Sequence, residues 1–318
     1  MQKLVYNLQD YPSFALPWVR PLIEQHFEMV QYDPATAYHP QDAVLVTYAS
    51  RVNNLWYRSL TDAGHKIVVD HLWDSDVAIK SSYRNNEMEL RCANWMWYLS
   101  CLEFAHHGYQ SYVPQREHRN SFLMLMNNPR WHRDAILPLL HNALEQALYS
   151  YNSRGIIMAG DKPEDEFTPW QRYMNPDWYN STAFSVVVES YMRNTVDGGE
   201  MRTEVSEKIF KPLAYYHPFV VAGSVDTLKY LQDQGFATFD NWFDESYDTV
   251  LDDRLRLATV CNEIERAVKR WQKKETRWDT ETQRRLQHNH NHFFDHTLVL
   301  DRFTKEIIDP VKEFLCKH

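Results

Sequence analysis

The chain has 318 residues, 44 % of them hydrophobic and 24 % charged, which is typical of a soluble globular protein with one large or two moderate domains. Its formal net charge of −9 disfavours a general nucleic-acid-binding surface, although a local basic strip stays compatible with it. With only eight glycines and neither a G-x-G-x-x-G nor a G-x-x-x-x-G-K-[ST] pattern, the sequence argues against glycine-loop dehydrogenases and P-loop proteins.

The cysteines and the apolar runs indicate in which compartment the protein is expected and whether it spans a membrane. Four cysteines are scattered without C-x-x-C spacing, which predicts a reduced, cytoplasmic protein with no zinc ribbon. No basic head followed by an apolar run opens the chain, and no segment approaches eighteen uninterrupted apolar residues. We therefore expect neither secretion nor a membrane span.

Short apolar runs of strand length alternate with helical patterns in the first hundred residues. Strands are predicted at residues 4–8, 27–32, 43–48 and 66–70, and helices at 15–26 and 53–63, the second ending near Gly64. Such alternation predicts a parallel sheet with helices on both faces. Residues 109–120 are polar and contain proline, so they are interpreted as an interdomain linker.

A second strand–helix pattern follows this linker. It comprises a strand at 121–126, a long helix at 131–148 containing Pro138, the start of a strand at 149–151, a polar loop at 159–180, a strand at 184–188, a helix at 205–215, a strand at 218–222 and a helix at 225–234. Gly235 ends that helix, and long helices at 252–270 and 280–300 precede a short last one.

The two patterns together predict an α/β protein with two Rossmann-like domains facing a central cleft. The N-terminal domain covers residues 1–115 and is joined by the last helix at 303–318, and the C-terminal domain covers 120–302. Ligands are expected at the carboxyl ends of the strands.

One candidate site follows the strand at 121–126. Asn127, Arg130, His132 and Arg133 lie at the start of a predicted helix, where backbone amides favour an anion and guanidinium groups grip phosphate oxygens. The alternative is a solvated basic first turn. Two arginines at a helix start oppose the macrodipole unless an anion is present, which favours the phosphate interpretation.

A second candidate site combines Glu189, Glu207, Lys208 and Lys211. Glu207 suits the hydroxyls of a ribose, and the lysines suit a diphosphate. The alternative is an ordinary exposed ion pair with Lys211 as its helical neighbour. Glu189 ends an apolar strand, where an unpaired carboxylate would be costly, so it is also assigned to the site.

Three segments carry a family resemblance: MNNPRWHR, SEKIFKPLAYYHPFVVAG and GFATFDNWFDESYD. Together they resemble glycosyltransferases with the two-domain GT-B fold, closest to the glycosyltransferase-like proteins of bacteriophages, large viruses and some bacteria. The SEK…KP segment resembles the donor-binding motif of the α-1,3-fucosyltransferases. The resemblance covers about residues 122–248, and the first motif has Asn127 and Asn128 where the family usually has arginine.

The resemblance implies a nucleotide-sugar donor and no required metal. It implies that Glu207 binds the donor ribose and that Lys208 binds the diphosphate, with Arg130 and Arg133 assisting.

Glycosyl transfer also needs a base for the acceptor hydroxyl or a carboxylate that stabilises oxocarbenium character. Asp70, His71 and Asp74 follow the strand at 66–70 and are the catalytic candidates. Turn and helix-cap roles are the alternative. Residues 74–76 also match the D-x-D metal motif of the other glycosyltransferase fold, but the rest of the chain suits GT-B.

Histidines and aromatic residues complete the candidates. His288, His290, His292 and His296 include pairs one helical turn apart, but a solvated helix face is favoured over a metal site. The aromatic residues at 95–98 are interpreted as core. Four aromatic residues of the loop at 159–180 are expected to form a mobile wall over donor or acceptor: Trp170, Tyr173, Trp178 and Tyr179.

The sequence thus predicts a cytoplasmic glycosyltransferase. Its acceptor is either a glycan hydroxyl or a hydroxymethylated base in phage duplex DNA, flipped from the helix. Arginines of the first domain would line the DNA strip: Arg51, Arg58, Arg84, Arg91, Arg116 and Arg119. Two alternatives stay open, a non-catalytic nucleotide- or glycan-binding protein and, more weakly, a metal-dependent hydrolase that uses the histidines.

Overall fold

A computed structural model describes residues 1–6, 16–33, 35, 36, 38, 42–47, 64–70, 86–90, 92–158, 174–192, 205–273 and 278–316. The chain forms two compact units, Met1–His107 with Asp295–His318, and Gly108–Phe294. The sequence predicts boundaries near 115–120 and 302, and the structure divides the chain at 107–108 and 294–295.

The first unit is built on a five-stranded parallel sheet. Its elements are β1 (Lys3–Tyr6), α1 (Arg20–Ile23), β2 (Glu28–Gln31), β3 (Ala43–Thr47), β4 (Lys66–Asp70), β5 (Glu87–Leu90) and α2 (Trp95–His106). The strand order is β2-β1-β3-β4-β5, and every described pairing is parallel.

The second unit is built on a four-stranded parallel sheet in the order β7-β6-β8-β9. Its elements are β6 (Asn120–Met126), α3 (Trp131–Leu139), α4 (His141–Leu144), β7 (Ala147–Tyr151), α5 (Pro176–Ser181), β8 (Thr182–Val188), α6 (Glu207–Ala214), β9 (Phe219–Ala222), α7 (Thr227–Asp233), α8 (Asp253–Gln272) and α9 (Thr280–Phe293). The chain then returns to the first unit as α10 (His296–Phe303) and α11 (Asp309–Cys316), joined by one π-helical turn.

Burial explains why these segments are strands and helices. All seven residues of β8 and all four of β9 are buried, as expected for strands covered on both faces of a parallel sheet. In α8, buried side chains recur at helical spacing from Leu257 to Val268, and this helix packs against β6 and β9. The side chain of Asp252 caps its first turn by accepting from Leu255 N at 2.7 Å. The prediction of two α/β units with parallel sheets is confirmed.

Several helices are shorter in the structure than the sequence predicts. The helix at 131–148 is two short helices, because the chain turns after Leu139 and residues 147 and 148 already pair with β6. The helix at 280–300 breaks between Phe293 and His296, where Asp295 caps α10 by accepting from Leu298 N at 3.0 Å. Of the described residues 16–26 within the predicted helix at 15–26, four are helical, and 53–63 lies outside the described residues.

Aromatic residues fill both cores. Trp95, Trp97 and Tyr98 are at most 1 % exposed in α2, which confirms their assignment to the core. The expected mobile wall is wrong for Trp178 and Tyr179, since both are buried in α5 rather than carried by a loop. Trp170 and Tyr173 lie outside the described residues.

One fully buried arginine joins α8 to the end of β9. The Arg256 guanidinium donates to Gly223 O at 3.0 Å and Val250 O at 2.5 Å and pairs with Asp253 at 2.7 Å. Backbone carbonyls that lie beyond the end of a strand need hydrogen-bond donors of this kind when water cannot reach them. Within the described residues, no helix has both the length and the apolar character needed to cross a bilayer.

Arg256→Met is expected to destabilise the protein by about 3 kcal/mol, because it leaves buried carbonyls without donors. Equilibrium unfolding in urea measures the loss. Asp253→Asn is the matched control, since it removes the charge of a carboxylate that is 32 % exposed but keeps an oxygen that can accept from Arg256, so its loss should be smaller than that of Arg256→Met. Equal losses in both variants would show that the ion pair, and not the carbonyl contacts, is what matters.

Candidate functional site

The sheet order of the second unit indicates where a ligand-binding crevice is expected. The chain leaves β6 to build β7 on one side and later returns to build β8 on the other side. The segments that leave the adjacent carboxyl ends of β6 and β8 therefore diverge, and open parallel sheets bind ligands at such a point. The predicted phosphate and ribose residues lie in the segments after these two strands and on α6.

Arg133, in the first turn of α3, is only 3 % exposed. Its guanidinium donates to Asn128 O at 2.9 Å, to Glu189 O at 2.9 Å and to Val188 O at 3.3 Å. Burial lowers the pKa of Arg133 despite the Glu189 charge beside it. Its donors connect α3 to the end of β8, so in this conformation Arg133 holds the crevice together rather than pointing at a phosphate.

His132 is 1 % exposed and repeats this connection. Its Nε2 lies 3.0 Å from Glu189 O, a geometry that requires the proton on Nε2. Burial lowers the pKa of His132 to about 4, and the positive charges of Arg133 and Arg130 add to the effect. The imidazole is therefore neutral at pH 7 and serves as a hydrogen-bond donor.

Asn127 and Arg130 lie nearer the surface. The Asn127 side chain donates to Asn128 Oδ1 at 3.0 Å, and its carbonyl accepts from Ser153. Arg130 is exposed at the N-cap of α3, and its guanidinium carbon lies 5.1 Å from the centre of the Tyr191 ring. Of the two predicted phosphate arginines, Arg130 is the one whose guanidinium reaches solvent.

The N-terminus of α6 carries the second predicted set. Ser206 is the N-cap, and its hydroxyl accepts from Lys208 N at 3.4 Å. The Lys208 ammonium lies 2.9 Å from Glu207 Oε1, 3.1 Å from Ser206 Oγ and 3.2 Å from Ser190 Oγ. The pair predicted from adjacent letters is thus formed, and three oxygens surround the ammonium.

Glu207 is 8 % exposed, yet it stays ionised. Burial on its own would raise its pKa, but the charges of Lys208 and Lys211 outweigh burial and hold the pKa at about 2. Lys211 follows one turn along α6 and is itself 7 % exposed. A carboxylate flanked by two ammonium groups accepts hydroxyl protons from one ligand group while the cations attract an anionic one.

Glu189 lies beneath this pair and is 1 % exposed. Its Oε1 accepts from Ser206 N at 3.2 Å, and its Oε2 accepts from the Ser206 hydroxyl and from Ser190 N at 3.3 Å. Burial raises the pKa of Glu189, while the Lys208 charge opposes the rise. Sequence reasoning missed Ser190 and Ser206, although a serine just before a helix is a recognisable N-cap signal.

The catalytic candidates of the first unit are not described. Asp70 is the last residue of β4, at its carboxyl end, and its side chain lies outside the described part of the chain, as do His71 and Asp74. They stay predictions.

The histidine-rich helix α9 is not simply solvated. His290 is 5 % exposed with Nδ1 at 2.9 Å from Ala214 O, so its predicted solvated position is wrong. His288 Nε2 lies 2.8 Å from Gly235 O, and His292 Nε2 lies 2.8 Å from Gln234 O. These nitrogens face the last carbonyls of α6 and α7. Among the described residues, no group of three or more His, Cys, Asp or Glu side chains could hold a metal ion.

The predicted DNA-binding strip stays a prediction, but its placement in the first domain is wrong for two of its arginines. Arg116 and Arg119 belong to the second unit. The Arg116 guanidinium lies 3.4 Å from the centre of the Trp278 ring and donates to Tyr216 O, and burial lowers its pKa to about 9. Arg119 pairs with Glu117 at 3.2 Å. The other four arginines lie outside the described residues.

Three solved structures of an alpha1,3-fucosyltransferase are similar to this chain. The first is a structure of the enzyme (10 % identity, TM-score 0.44), the second is a structure with GDP-fucose (9 %, 0.43), and the third is a structure with GDP (10 %, 0.45). Each match covers 94 % of this chain and 90 % of the other. At these values the likeness assigns no ligand and no residue role. No protein-family profile and no curated protein matches the chain.

The neutral state of His132 makes a prediction about pH. Its pKa is about 4 in the folded protein and near 6.5 when unfolded, so the unfolded chain takes up the proton first as pH falls. Stability should therefore decrease as pH falls through this window and stop changing on this account below it. Urea unfolding of wild type and His132→Gln at a series of pH values tests this. The difference between them should shift against wild type as pH falls from 6.5 to 4, and a constant difference would contradict a buried neutral imidazole.

Proposed function

We propose that this chain is a glycosyltransferase that moves a sugar from a nucleotide-sugar to an acceptor hydroxyl. The observation that carries the proposal is the Lys208–Glu207 pair, with N···O 2.9 Å, at the N-terminus of α6 and beside the carboxyl end of β8. An ionised carboxylate next to an ammonium group suits a ribose hydroxyl pair joined to a diphosphate, and a helix N-terminus favours the anion further.

The donor would be held by this chain's own side chains in three places. The Glu207 carboxylate accepts from the ribose hydroxyls, which its low pKa keeps possible at every physiological pH. Lys208 and Lys211 bind the diphosphate, and the exposed Arg130 adds a guanidinium from the other side of the crevice. In this proposal Asn127 lines the crevice, while His132, Arg133 and Glu189 support it from within.

In the transfer step, the acceptor oxygen attacks the anomeric carbon of the sugar and forms the new glycosidic bond. The bond from that carbon to the diphosphate oxygen breaks, and the nucleoside diphosphate leaves with the electron pair. The lysines stabilise the charge that develops on this leaving group. The acceptor proton passes to a base, for which Asp70, His71 and Asp74 are the proposed candidates.

Lys208→Ala and Glu207→Ala should each abolish the rise in melting temperature that nucleotide-sugars cause in the wild type. A panel of UDP-, GDP-, CMP- and ADP-sugars is the probe, and a ligand at a hundred times its Kd stabilises by about 2.7 kcal/mol. Lys229→Ala is the matched control, because this lysine is 62 % exposed and pairs with Asp233 on α7. A wild-type shift that persists in both site variants would remove the pair from the donor site.

Turnover separates the enzyme from a binding protein of the same fold. The donor that gives the largest shift is incubated with wild-type protein, and release of nucleoside diphosphate is followed. Without an acceptor, slow release by hydrolysis of the donor is expected. With a glycan, faster release by transfer of the sugar is expected. Binding without any release over a long incubation would support the non-catalytic alternative.

For the acceptor, we propose a glycan hydroxyl, and modified duplex DNA is the alternative. The described arginines give the DNA alternative little support, since Arg116 is buried against Trp278 and Arg119 is paired. Binding to hydroxymethylated duplex DNA is therefore expected to be weak and insensitive to salt. Affinity that falls on the order of a thousandfold between about 50 and 200 mM salt would instead indicate many phosphate contacts and a DNA acceptor. A cytoplasmic location and a bacteriophage origin stay predictions.

A further inference from the structure

We propose that Glu189 is a positioning residue, which sets the place of the Lys208 ammonium without touching a ligand. The inference rests on the proposed function, because it assigns Lys208 to the donor diphosphate. It changes the predicted role of Glu189 from a donor contact to a support beneath the donor site.

Three oxygens surround the Lys208 ammonium. Apart from Glu207, two hydroxyl oxygens lie near the ammonium, Ser206 Oγ at 3.1 Å and Ser190 Oγ at 3.2 Å. Glu189 holds both serines: it accepts from the amide and the hydroxyl of Ser206 and from the amide of Ser190. One carboxylate therefore holds the Ser206 hydroxyl directly and the main chain of Ser190, and these two serines supply two of the three oxygens near the ammonium.

The packing around Glu189 leaves it no direct route to a ligand. The residue is 1 % exposed, and all the protein donors just named point at its two oxygens. A Cβ added at Gly223, just after β9, would lie 3.3 Å from Glu189 Cγ, so the side chain is also confined from that strand. A carboxylate in such a place orients other groups.

The main chain of the same residue serves the other side of the crevice. Glu189 O accepts from His132 Nε2 at 3.0 Å and from Arg133 Nη2 at 2.9 Å, which fixes the first turn of α3. A side-chain substitution leaves that carbonyl in place. The hydrogen bonds to the first turn of α3 therefore persist, and the hydrogen bonds that change are those with Ser190 and Ser206.

The test is a double-mutant cycle between Glu189→Gln and Lys208→Met, with donor affinity measured by titration to concentrations far above those used for the thermal shift, where weak binding to the Lys208 variants is still measurable. The probe is the UDP-, GDP-, CMP- or ADP-sugar that gives the largest thermal shift with wild type. Glu189→Gln keeps the volume but places an amide where the Ser190 and Ser206 donors now end, so we expect affinity to fall on the order of tenfold. In the Lys208→Met background the same change should have almost no further effect, because Glu189 acts through the ammonium.

Glu245→Gln is the control for losing a buried carboxylate, since Glu245 accepts from Phe239 N at 2.6 Å in another part of the second unit. It should leave donor affinity unchanged. If Glu189→Gln does not fold, as urea unfolding would reveal, Ser206→Ala breaks the same link from the other side and enters the cycle instead.

The outcomes are distinguishable. Equal losses from Glu189→Gln in both backgrounds, or no loss in either, would overturn the positioning role while Lys208→Met still weakens binding. An unchanged affinity in Lys208→Met would overturn the proposed function, and this inference with it.

Discussion

The crevice of the second unit depends on how charge is buried at the end of β8. Glu189 and Glu207 are at most 8 % exposed, and Lys208 lies between them with its ammonium 2.9 Å from Glu207. Removing carboxylates and ammonium groups from water costs several kcal/mol each unless partners compensate. Here the compensation comes from lysine charges and from the amides and hydroxyls of two serines.

The scarcity of glycine explains why charged side chains are used in this arrangement. A glycine-rich loop presents backbone amides to phosphates, and this chain lacks such a loop. In the proposed function, charged side chains both bind the phosphates and hold the strand ends that form the site. Arg133 and Arg256 satisfy carbonyls at the ends of β8 and β9, whereas Lys208, Lys211 and Arg130 are the cations that the proposed function assigns to the donor. Positive charge is thus divided between holding the strand ends and facing the crevice, and only contacts reveal which cation does which.

That division also marks what could be predicted from the sequence. Strands such as β4 and β8, and the helix carrying the Glu207-Lys208 pair, follow from apolar runs and helical patterns, which are local signals. The buried role of Arg133 depends on carbonyls 55 and 56 residues away along the chain, and no local pattern encodes such a contact. The burial of Trp178 was missed for the same reason, since its loop-like composition says nothing of the core it enters.

Helix α6 shows how distant contacts complete a weak element. Pro212 lies inside this eight-residue helix and lacks the amide hydrogen that the Lys208 carbonyl would otherwise accept. The helix is nevertheless held at both ends: Glu189 fixes its N-cap, and His290 Nδ1 lies 2.9 Å from Ala214 O at its last turn. Because both attachments come from other elements, the position of Lys208 is set by tertiary contacts rather than by helix propensity. His290, one of the histidines that raise the question of a metal in the sequence, thus supports the helix that carries the proposed donor-binding residues.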